Sequence, residues 1–572
     1  MGRLKKYIQP YWGFMILTMV IKLFGAYAEL MIPDLMETII DEKVPAGDQR
    51  SIYLYGAGML LCAALCLISN ITANRMSAKS SGQITRAIRH DLFQKLENLS
   101  SRQMDALTVP SAESRLTSDT YNINQMLARL QRMGIRAPML LVGGIVMMLR
   151  MDDVLAMVLI ALLPIIALVT YFVTKKSLPL YTKQQTVLDK VVRTVQENIT
   201  GIRVIKALSK TEYEKERFRN VNSELTKIDQ TAGTVSAITN PTASLTLNLG
   251  LTLVVLVGAY RVNDGLMEGG VIVAFLQYFT MILNAMLGVT RIFVMWSKGE
   301  ASAKRVADVL ESPEDMALIP AGEPEENAPH IEFKNVSFSY TGIGRNTSDL
   351  SFRLERGQTL GILGPTGSGK STILNLLMRL YDADEGQVLI DGQDIRSIPY
   401  DKLRQKFGVV FQNDFVMEGS IADNLRFFRN VSDEDIQAAA NHAQAEFIAT
   451  KEGGMDAEVQ VRGNNLSGGQ KQRLLIGRAL AAQPEILVLD DASSALDYRT
   501  DAQLRRALRE QYRNTTTVLV AQRISSLRHA DVILVLQEGA VIGMGNHEQL
   551  MHSCEEYAYL AKIQMGDGEE VE

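Results

Sequence analysis

Cysteine, histidine and tryptophan are scarce in this chain, whose 572 residues include three, six and two of them respectively. Cys62 and Cys66 lie one helical turn apart in an apolar run and Cys554 stands far away, so the cysteines form no metal-binding pattern. A net charge of −5 lacks the basic excess of nucleic-acid-binding proteins, and no nucleic-acid partner is predicted. No cleavable signal peptide is predicted either, because the first apolar run is too long and leads into Pro33 without a small-residue cleavage site.

Long apolar runs are confined to the first half of the chain, whereas the second half has the composition of a soluble α/β domain. A helix needs roughly 20 apolar residues to cross about 30 Å of hydrocarbon. Six runs approach or exceed this length, near residues 12–33, 52–73, 134–151, 154–174, 241–262 and 270–296. We therefore predict a transmembrane domain in contact with the lipid bilayer over residues 1–310, a proline-rich linker over 311–329 and a soluble domain over 330–572.

The connections between these runs predict the topology. Those between the second and third runs, and between the fourth and fifth, are long and rich in lysine and arginine, whereas the others are short and poor in both. By the positive-inside rule the long loops, the amino terminus and the soluble domain lie in the cytoplasm. Apolar residues recur at helical spacing in the long loops. They are either amphipathic helices solvated on one face or membrane helices continuing into the cytoplasm, with turns predicted at Pro110–Asn122 and Ser209–Phe218.

Two ionisable residues interrupt the first apolar run. Lys22 and Glu29 are seven residues apart, about two helical turns, so they share one face of the helix. Ionisable groups within a membrane span usually face a cavity or a partner. Two interpretations stay open, namely a place on a substrate pathway and a role in packing or pairing with another helix.

The soluble half carries a phosphate-binding loop pattern, G-x-x-x-x-G-K-[ST]. Its glycines let the backbone curl so that N–H groups surround a phosphate, its lysine approaches the β- and γ-phosphates, and its serine offers a hydroxyl to Mg²⁺. The flanking sequence predicts a buried strand over Thr359–Leu363 and a packed helix over Ile373–Leu380. The predicted nucleotide-binding residues are Gly364, Pro365, Thr366, Gly367, Ser368, Gly369, Lys370, Ser371 and Thr372.

Four further stretches follow the loop in order: Val409–Gln412, Leu466–Gln470, Ile486–Asp491 and Ser494–Asp497. In this order the chain resembles the ATP-binding cassette (ABC) transporters over nearly its whole length, and the six spans with long loops look like the exporter type of that family. The resemblance implies a membrane α-helical domain of six transmembrane helices with long cytoplasmic extensions, followed by an α/β P-loop nucleotide-binding domain. It also implies ATP-driven transport with ATP and Mg²⁺ as cofactors, and contact of the predicted turns with the nucleotide-binding domain.

The resemblance also implies roles for single residues. Tyr340 matches the aromatic residue that stacks on adenine, and Gln412 matches the glutamine that senses Mg²⁺ and the γ-phosphate. Asp490 matches the carboxylate that holds Mg²⁺ through water, which makes Ser371, Gln412 and Asp490 the implied metal site. The family signature, which covers the nucleotide held by the opposite subunit, is matched by Ser467, Gly468, Gly469 and Gln470.

Two positions depart from the family pattern. Asp491 stands where the family has its catalytic glutamate and is shorter by about 1.5 Å, the length of one C–C bond. Gln522 stands where the family has its switch histidine, and its neutral amide carries neither a proton nor a positive charge. Since general-base catalysis contributes about 10²- to 10⁴-fold, hydrolysis at this chain's own site is predicted to be slow.

An intact signature beside a weak catalytic site predicts a heterodimer in a bacterial cytoplasmic membrane. This chain would complete an active site in a second half-transporter of the multidrug type, and the pair would export a small amphipathic compound, a peptide or a lipid. One alternative is a homodimeric ATP sensor that hydrolyses ATP weakly. Another is an importer of chelated metal built on the exporter fold.

Overall fold

The computed structural model describes residues 2–313, 316–320, 322 and 327–565. Within the predicted linker, residues 314–315, 321 and 323–326 lie outside the described residues. The chain divides into two compact units. One comprises Met1–Asn98 and Val109–Ser312, and the other comprises Leu99–Thr108 and Pro313–Glu572.

Helices build the chain as far as residue 310. They are α1 (Lys5–Ile8), α2 (Trp12–Thr38), α3 (Gln49–Glu97), α4 (Ser101–Leu107), α5 (Val109–Ser114), α6 (Thr120–Met133), α7 (Arg136–Met151), α8 (Asp153–Thr200), α9 (Ile202–Ala207), α10 (Thr211–Ala237), α11 (Thr239–Asn263) and α12 (Gly269–Leu310). Single π-helical turns continue the helical path at Ile39–Lys43 and Arg115–Asp119.

Six helical segments of the described chain are long and apolar enough to cross a membrane, which confirms the predicted number of spans. They are Gly2–Lys43, Gln49–Glu97, Val109–Met151, Asp153–Thr200, Ser244–Asn263 and Gly269–Val289. Aromatic residues of α12 form the centre of the helical core, where Phe275, Tyr278 and Phe279 are fully buried. The Tyr278 hydroxyl donates to the carbonyl of Leu30 in α2 at 2.7 Å, so this buried polar group is satisfied without water.

The turns between the long helices come earlier than the sequence predicted. After α3 the chain turns around the short helix α4, so the predicted turn at Pro110–Asn122 is wrong, and this stretch is helical. Pro110 causes no break because it lies in the first turn of α5, where the missing N–H costs no helical hydrogen bond. After α8 the chain turns around α9, and the second prediction overlaps that turn only at Ser209 and Lys210.

The described residues of the second unit form three sheets, of four, six and two strands. The strands are β1 (Ile331–Phe338), β2 (Thr347–Leu354), β3 (Thr359–Leu363), β4 (Glu385–Ile390), β5 (Gln393–Asp394), β6 (Phe407–Val410), β7 (Gly419–Ser420), β8 (Glu458–Val459), β9 (Ile486–Asp490), β10 (Thr516–Val520), β11 (Val532–Gln537) and β12 (Ala540–Gly545). The helices are α13 (Lys370–Leu377), α14 (Tyr400–Gln405), α15 (Ile421–Arg426), α16 (Asp433–His442), α17 (Phe447–Thr450), α18 (Gly468–Leu480), α19 (Tyr498–Gln511), α20 (Ile524–Leu527), α21 (His547–Ser553) and α22 (Glu555–Met565).

The larger sheet sets the position of the predicted site. Its strand order is β12-β11-β3-β10-β9-β6, and β11, β3, β10, β9 and β6 run parallel. Val520 of β10 is aligned with both Ile362 of β3 and Asp490 of β9, so these strands end at the same level. Parallel sheets of this kind bind ligands at the carboxyl ends of their strands. The phosphate loop, Asp491 and Gln522 all follow such ends.

Candidate nucleotide-binding site

The phosphate loop joins β3 to α13 and depends on glycine at defined positions. Gly367 and Gly369 have φ values of +85° and +97°, a region that glycine occupies without strain. A Cβ at Gly369 would lie 2.7 Å from the Asn346 carbonyl oxygen, and one at Gly364 would lie 2.5 Å from the Leu536 carbonyl oxygen. Because α13 begins at Lys370, the positive end of its helix dipole faces the loop. The loop is thus shaped for an anion.

Lys370 reaches back across the loop that precedes it. Its Nζ donates to the carbonyl oxygens of Gly364 at 2.9 Å and Pro365 at 2.7 Å. Burial lowers the pKa of Lys370, whereas the nearby carboxylates of Asp490 and Asp491 act in the opposite direction. The ammonium group is therefore held where a bound phosphate would meet it.

A hydroxyl and a carboxylate meet beside the loop. The Ser371 Oγ donates to Asp490 Oδ2 at 2.9 Å, and Asp490 is buried at the end of β9. Burial raises the pKa of Asp490, and the hydrogen bond from Ser371 partly offsets this. Thr372 is buried, and the buried Ser368 Oγ has no hydrogen-bond partner among the residues that the structure describes. The structure thus brings Ser371 and Asp490 together as the sequence predicts.

The two departures from the family pattern face each other. Gln522 Nε2 donates to Asp491 Oδ2 at 3.4 Å, and the Asp491 N–H donates to the Val520 carbonyl at 3.0 Å. Asp491 adopts a φ of +52°, which a short polar side chain tolerates better than a bulky one. Burial raises the pKa of the Asp491 carboxyl, and Lys370 acts against it. The side chains at the two predicted catalytic positions are therefore in contact, although they follow different strands.

Tyr340 lies in an aromatic cluster next to α13. Its hydroxyl accepts from Asn375 Nδ2 at 3.0 Å, and its ring meets those of Phe338 and Tyr381 edge-on at 4.8 and 5.0 Å between centroids. Gln412 is exposed in the loop after β6. The structure thus holds the Tyr340 ring in a fixed orientation and leaves the Gln412 side chain accessible to solvent.

The signature forms the start of α18. The Ser467 Oγ accepts from the Gln470 N–H at 3.3 Å, and Gln470 Oε1 accepts from the Ser467 N–H at 3.0 Å, which is a complete capping box. Gly468 follows with space around it, since a Cβ there would lie 3.7 Å from the nearest atom, the Ala495 Cβ. In the described part of the chain, no hydrogen bond links the signature to the phosphate loop. The signature is therefore an ordered, capped helix start.

Sequence reasoning missed the helix α4, which belongs to the same unit as the nucleotide site. Tyr381 donates its hydroxyl to Asp105 Oδ2 at 2.5 Å, and Arg102 lies 3.5 Å from Asp384 and donates to the Ser339 carbonyl. A local signal for α4 was present in the capping box of Ser100 and Gln103. This signal shows where a helix starts but not what it contacts.

Replacing Tyr381 with phenylalanine should loosen α4 without unfolding the sheet. The substitution removes a hydrogen bond to a carboxylate, an interaction worth about 1.5–3 kcal/mol. Hydrogen exchange measured by mass spectrometry should become at least about tenfold faster in residues 99–108 and stay unchanged in β3 and β9. Unchanged exchange in residues 99–108 would show that Arg102 and Gln103 hold this helix without Tyr381.

Two family models match the chain. Residues 15–286 match the ABC transporter transmembrane region, and residues 347–494 match the ABC transporter family. An uncharacterised ABC transporter ATP-binding protein of Mycobacterium tuberculosis strain H37Rv is 32% identical over 569 residues, which cover 98% of this chain and 97% of that protein. This chain belongs to the ABC transporter family.

Other relatives support the same assignment for this ABC transporter. The ABC transporter ATP-binding protein YfiB of Bacillus subtilis strain 168 is 33% identical over 99% of both chains. The solved structure of a bacterial Atm1-family ABC exporter with ATP bound superimposes with a TM-score of 0.81 and 26% identity, over 98% of this chain and 99% of that one. The predicted fold class and the half-transporter organisation are thereby confirmed. The chain is a membrane-spanning, ATP-binding transport ATPase of the ABC exporter type.

Proposed function

We propose that this ABC transporter is one half of a heterodimeric exporter in a bacterial cytoplasmic membrane. Its own site binds ATP and hydrolyses it slowly, while its signature completes the active site of a partner subunit. The contact between Asp491 and Gln522 carries this proposal. A carboxylate shortened by one carbon and paired with a neutral amide is poorly suited to activate a water molecule or to stabilise a growing negative charge.

The ordered signature supports the same asymmetry. Ser467, Gly468, Gly469 and Gln470 keep the family pattern and form a capped helix end. An intact signature has a use in a heterodimer because it serves the nucleotide of the other subunit. In a homodimer it would cover only a weak site.

The loop residues fit a nucleotide with Mg²⁺. The Ser371 hydroxyl and the Asp490 carboxylate lie 2.9 Å apart and supply the hard oxygen ligands that Mg²⁺ prefers. In this proposal Gln412 adds a third oxygen, Tyr340 stacks on adenine and residues 364–372 hold the phosphates. Ser371, Asp490 and Gln412 would hold the Mg²⁺, which would supply positive charge against the negative charge that develops on the phosphates.

The proposed cargo is a small amphipathic compound, a peptide or a lipid. A fatty acid ABC transporter ATP-binding/permease protein of Mycobacterium tuberculosis strain CDC 1551 is 32% identical over 88% of this chain and 78% of that protein, which supports an amphipathic cargo. We assign residues 1–310 to translocation, 311–329 to a linker and 330–572 to ATP binding, with the amino terminus in the cytoplasm. The basic residues of the two long loops support this orientation.

The asymmetric model predicts unequal effects of equivalent substitutions in the co-purified pair. Asp491→Asn should leave the steady-state ATPase rate within about twofold of the unsubstituted pair, because this site contributes little turnover. Glutamine in place of the partner's catalytic glutamate should reduce the rate by about 10²-fold or more, since general-base catalysis contributes about 10²- to 10⁴-fold. Phosphate release at saturating ATP measures both.

Two results would contradict the asymmetric model of one slow site and one active site. Loss of turnover with Asp491→Asn alone would show that this chain's own site is the active one. A stable self-dimer that binds ATP and barely hydrolyses it, obtained by expressing this chain alone, would favour the homodimeric sensor. As a gain-of-function control, Asp491→Glu combined with Gln522→His should raise hydrolysis at this site.

A further inference from the structure

A buried lysine in the membrane unit lacks an acidic ion-pair partner among the residues that the structure describes. Lys22 of α2 is 4% exposed, and its Nζ donates to the Asn70 side-chain oxygen in α3. The Asn70 amide donates to the Cys66 carbonyl at 2.9 Å, which orients its oxygen towards Lys22. In the described part of the chain no carboxylate lies within ion-pair distance of Lys22. A buried charge without a counter-ion is costly, and in a membrane span such a residue is usually functional.

The acid nearest in sequence is already engaged elsewhere. Glu29 of α2 accepts from Arg136 Nη2 through both carboxylate oxygens, at 2.8 and 2.9 Å, and from Arg136 Nε at 3.3 Å. A bidentate pair of this kind is a strong interaction, and it neutralises the charge of Glu29. The sequence left the role of Lys22 and Glu29 open between pairing and a substrate pathway. Glu29 pairs with another helix, whereas Lys22 does not pair with an acid.

Arg132 adds a third positive charge near Lys22 and Arg136. Arg132, in the last turn of α6, donates its Nε to the Ala128 carbonyl at 3.1 Å and has no acid partner among the described residues. Lys22 interacts electrostatically with Arg132, Arg136 and Glu29, so the four groups form one cluster. Three cations and one carboxylate leave this cluster with an excess of two positive charges.

A cavity of about 140 Å³ opens beside the paired residues of this cluster, Glu29 and Arg136, whereas Lys22 and Arg132 are not among its lining residues. Glu29, Arg136 and Asn284 form its polar wall, and Met133, Leu140 and Met281 form much of its apolar wall. Drug-sized ligands occupy pockets of about 300–1,000 Å³, so this volume suits a small charged head group with a short apolar stretch. Methionine and leucine provide an adaptable surface for such a stretch.

We propose that the cargo is an amphiphile with an anionic head group, a carboxylate or a phosphate, which binds at this cluster. The head group lies against Arg136, and the two unpaired cations, Lys22 and Arg132, supply the positive potential that attracts it. The apolar part lies along Met133, Leu140 and Met281. This inference rests on the proposed export of an amphipathic compound and narrows it to one charge class.

Amphiphiles with the same chain and different head groups test the inference. The co-purified pair is reconstituted in vesicles of phosphatidylcholine, which carries no net charge, and is given oleate, oleyl phosphate, oleyl alcohol or oleylamine. ATPase stimulation and accumulation of each labelled compound are measured. Oleate or oleyl phosphate should stimulate and accumulate, and the better of the two identifies the head group. Oleyl alcohol and oleylamine should do so at least about tenfold more weakly, as expected for the loss of one ion-pair contact of about 1.4 kcal/mol.

Single substitutions test whether Arg132 and Lys22 cause the preference for an anionic head group. Arg132→Gln and Lys22→Gln should each raise the half-stimulating concentration of the anionic compound about tenfold and leave the response to oleyl alcohol unchanged. Arg132 is only half-buried, so its variant remains informative if the Lys22 variant fails to fold. The matched control is Arg129→Gln on the same helix, because Arg129 is exposed and should have no effect.

The outcomes distinguish a failure of the anionic head group from a failure of the proposed amphiphile export. Equal transport of all four compounds, or equal effects of Arg129→Gln and Arg132→Gln, would overturn the anionic head group and leave amphiphile export intact. Preference for oleylamine would do the same. If none of the four compounds is transported while ATP is hydrolysed, both the inference and the proposed amphipathic cargo fail.

Discussion

Gly468→Asp should reduce the ATPase rate of the assembled transporter by about 10²-fold or more, a loss typical of removing one preorganised anion-binding contact. The reason is electrostatic, because in the proposed heterodimer the new carboxylate would stand at the helix end that covers the partner's nucleotide. The variant should still fold. A Cβ at Gly468 meets only the Ala495 Cβ at 3.7 Å, and an acidic side chain in the first turn of a helix is stabilising.

Gly468→Asn is the matched control because asparagine has the same shape as aspartate without the charge. It should retain at least about tenfold more activity than the aspartate variant, since one contact with a like charge costs about 1.4 kcal/mol or more at a partly buried site. A second comparison uses Lys370→Ala, which weakens ATP binding at this chain's own site and should lower turnover less than Gly468→Asp does. Equal losses from Gly468→Asp and Lys370→Ala would indicate two equivalent sites and contradict the asymmetric model.

The fold could be predicted where local pattern and burial agree. The β3 strand was predicted with its observed limits because five residues of a central parallel strand, Thr359–Leu363, are apolar or small. The membrane spans were found because hydrocarbon thickness fixes their length. The sequence pattern predicts two short strands, Ile331–Phe333 and Val336–Tyr340, whereas β1 (Ile331–Phe338) is continuous. The pairing of β1 with β2 shifts its register between Phe333 and Val336, and Asn335 has a φ of +50°. These are the features of a β-bulge, which in the sequence resembles a gap between two strands.

Other features depend on contacts that no local pattern specifies. The motifs at Ser371 and Asp490 are local, and strand order brings the two side chains together, so their contact follows from recognising the parallel sheet. Asp105 and Tyr381 are 276 residues apart, and nothing near either residue indicates the other. The turn at α4 was misplaced for a related reason. Apolar spacing continues through it, and the stretch has no glycine to mark the end of α3.

Replacing Arg379 should have the second large effect, a loss of stability in the nucleotide-binding unit. This side chain is fully buried, and its guanidinium donates to Asp382 at 2.9 Å and to the carbonyls of Arg396 at 3.2 Å and Ala317 at 2.9 Å. It also lies over the Tyr400 ring, at 4.8 Å from its centroid. One cation thereby joins the end of α13, the segment before α14 and residues 316–320. The guanidinium is buried while its acceptors are half-buried or exposed, and each acceptor would lose its partner together with the arginine.

Arg379→Met should therefore destabilise the nucleotide-binding unit by about 3 kcal/mol or more, because it removes several hydrogen bonds from a charged donor, each worth about 1.5–3 kcal/mol. Methionine fills much of the volume but offers no donor. Protection of the slowest-exchanging amides in β3 and α13 of the full-length protein should fall roughly a hundredfold or more, because each 1.4 kcal/mol is a factor of ten. Arg506→Met is the control. The side chain of Arg506 is 77% exposed and pairs with Glu510 on the same helix, a solvent-screened contact whose loss should hardly change stability. Equal losses in the two variants would show that the buried network of Arg379 is not what stabilises this unit.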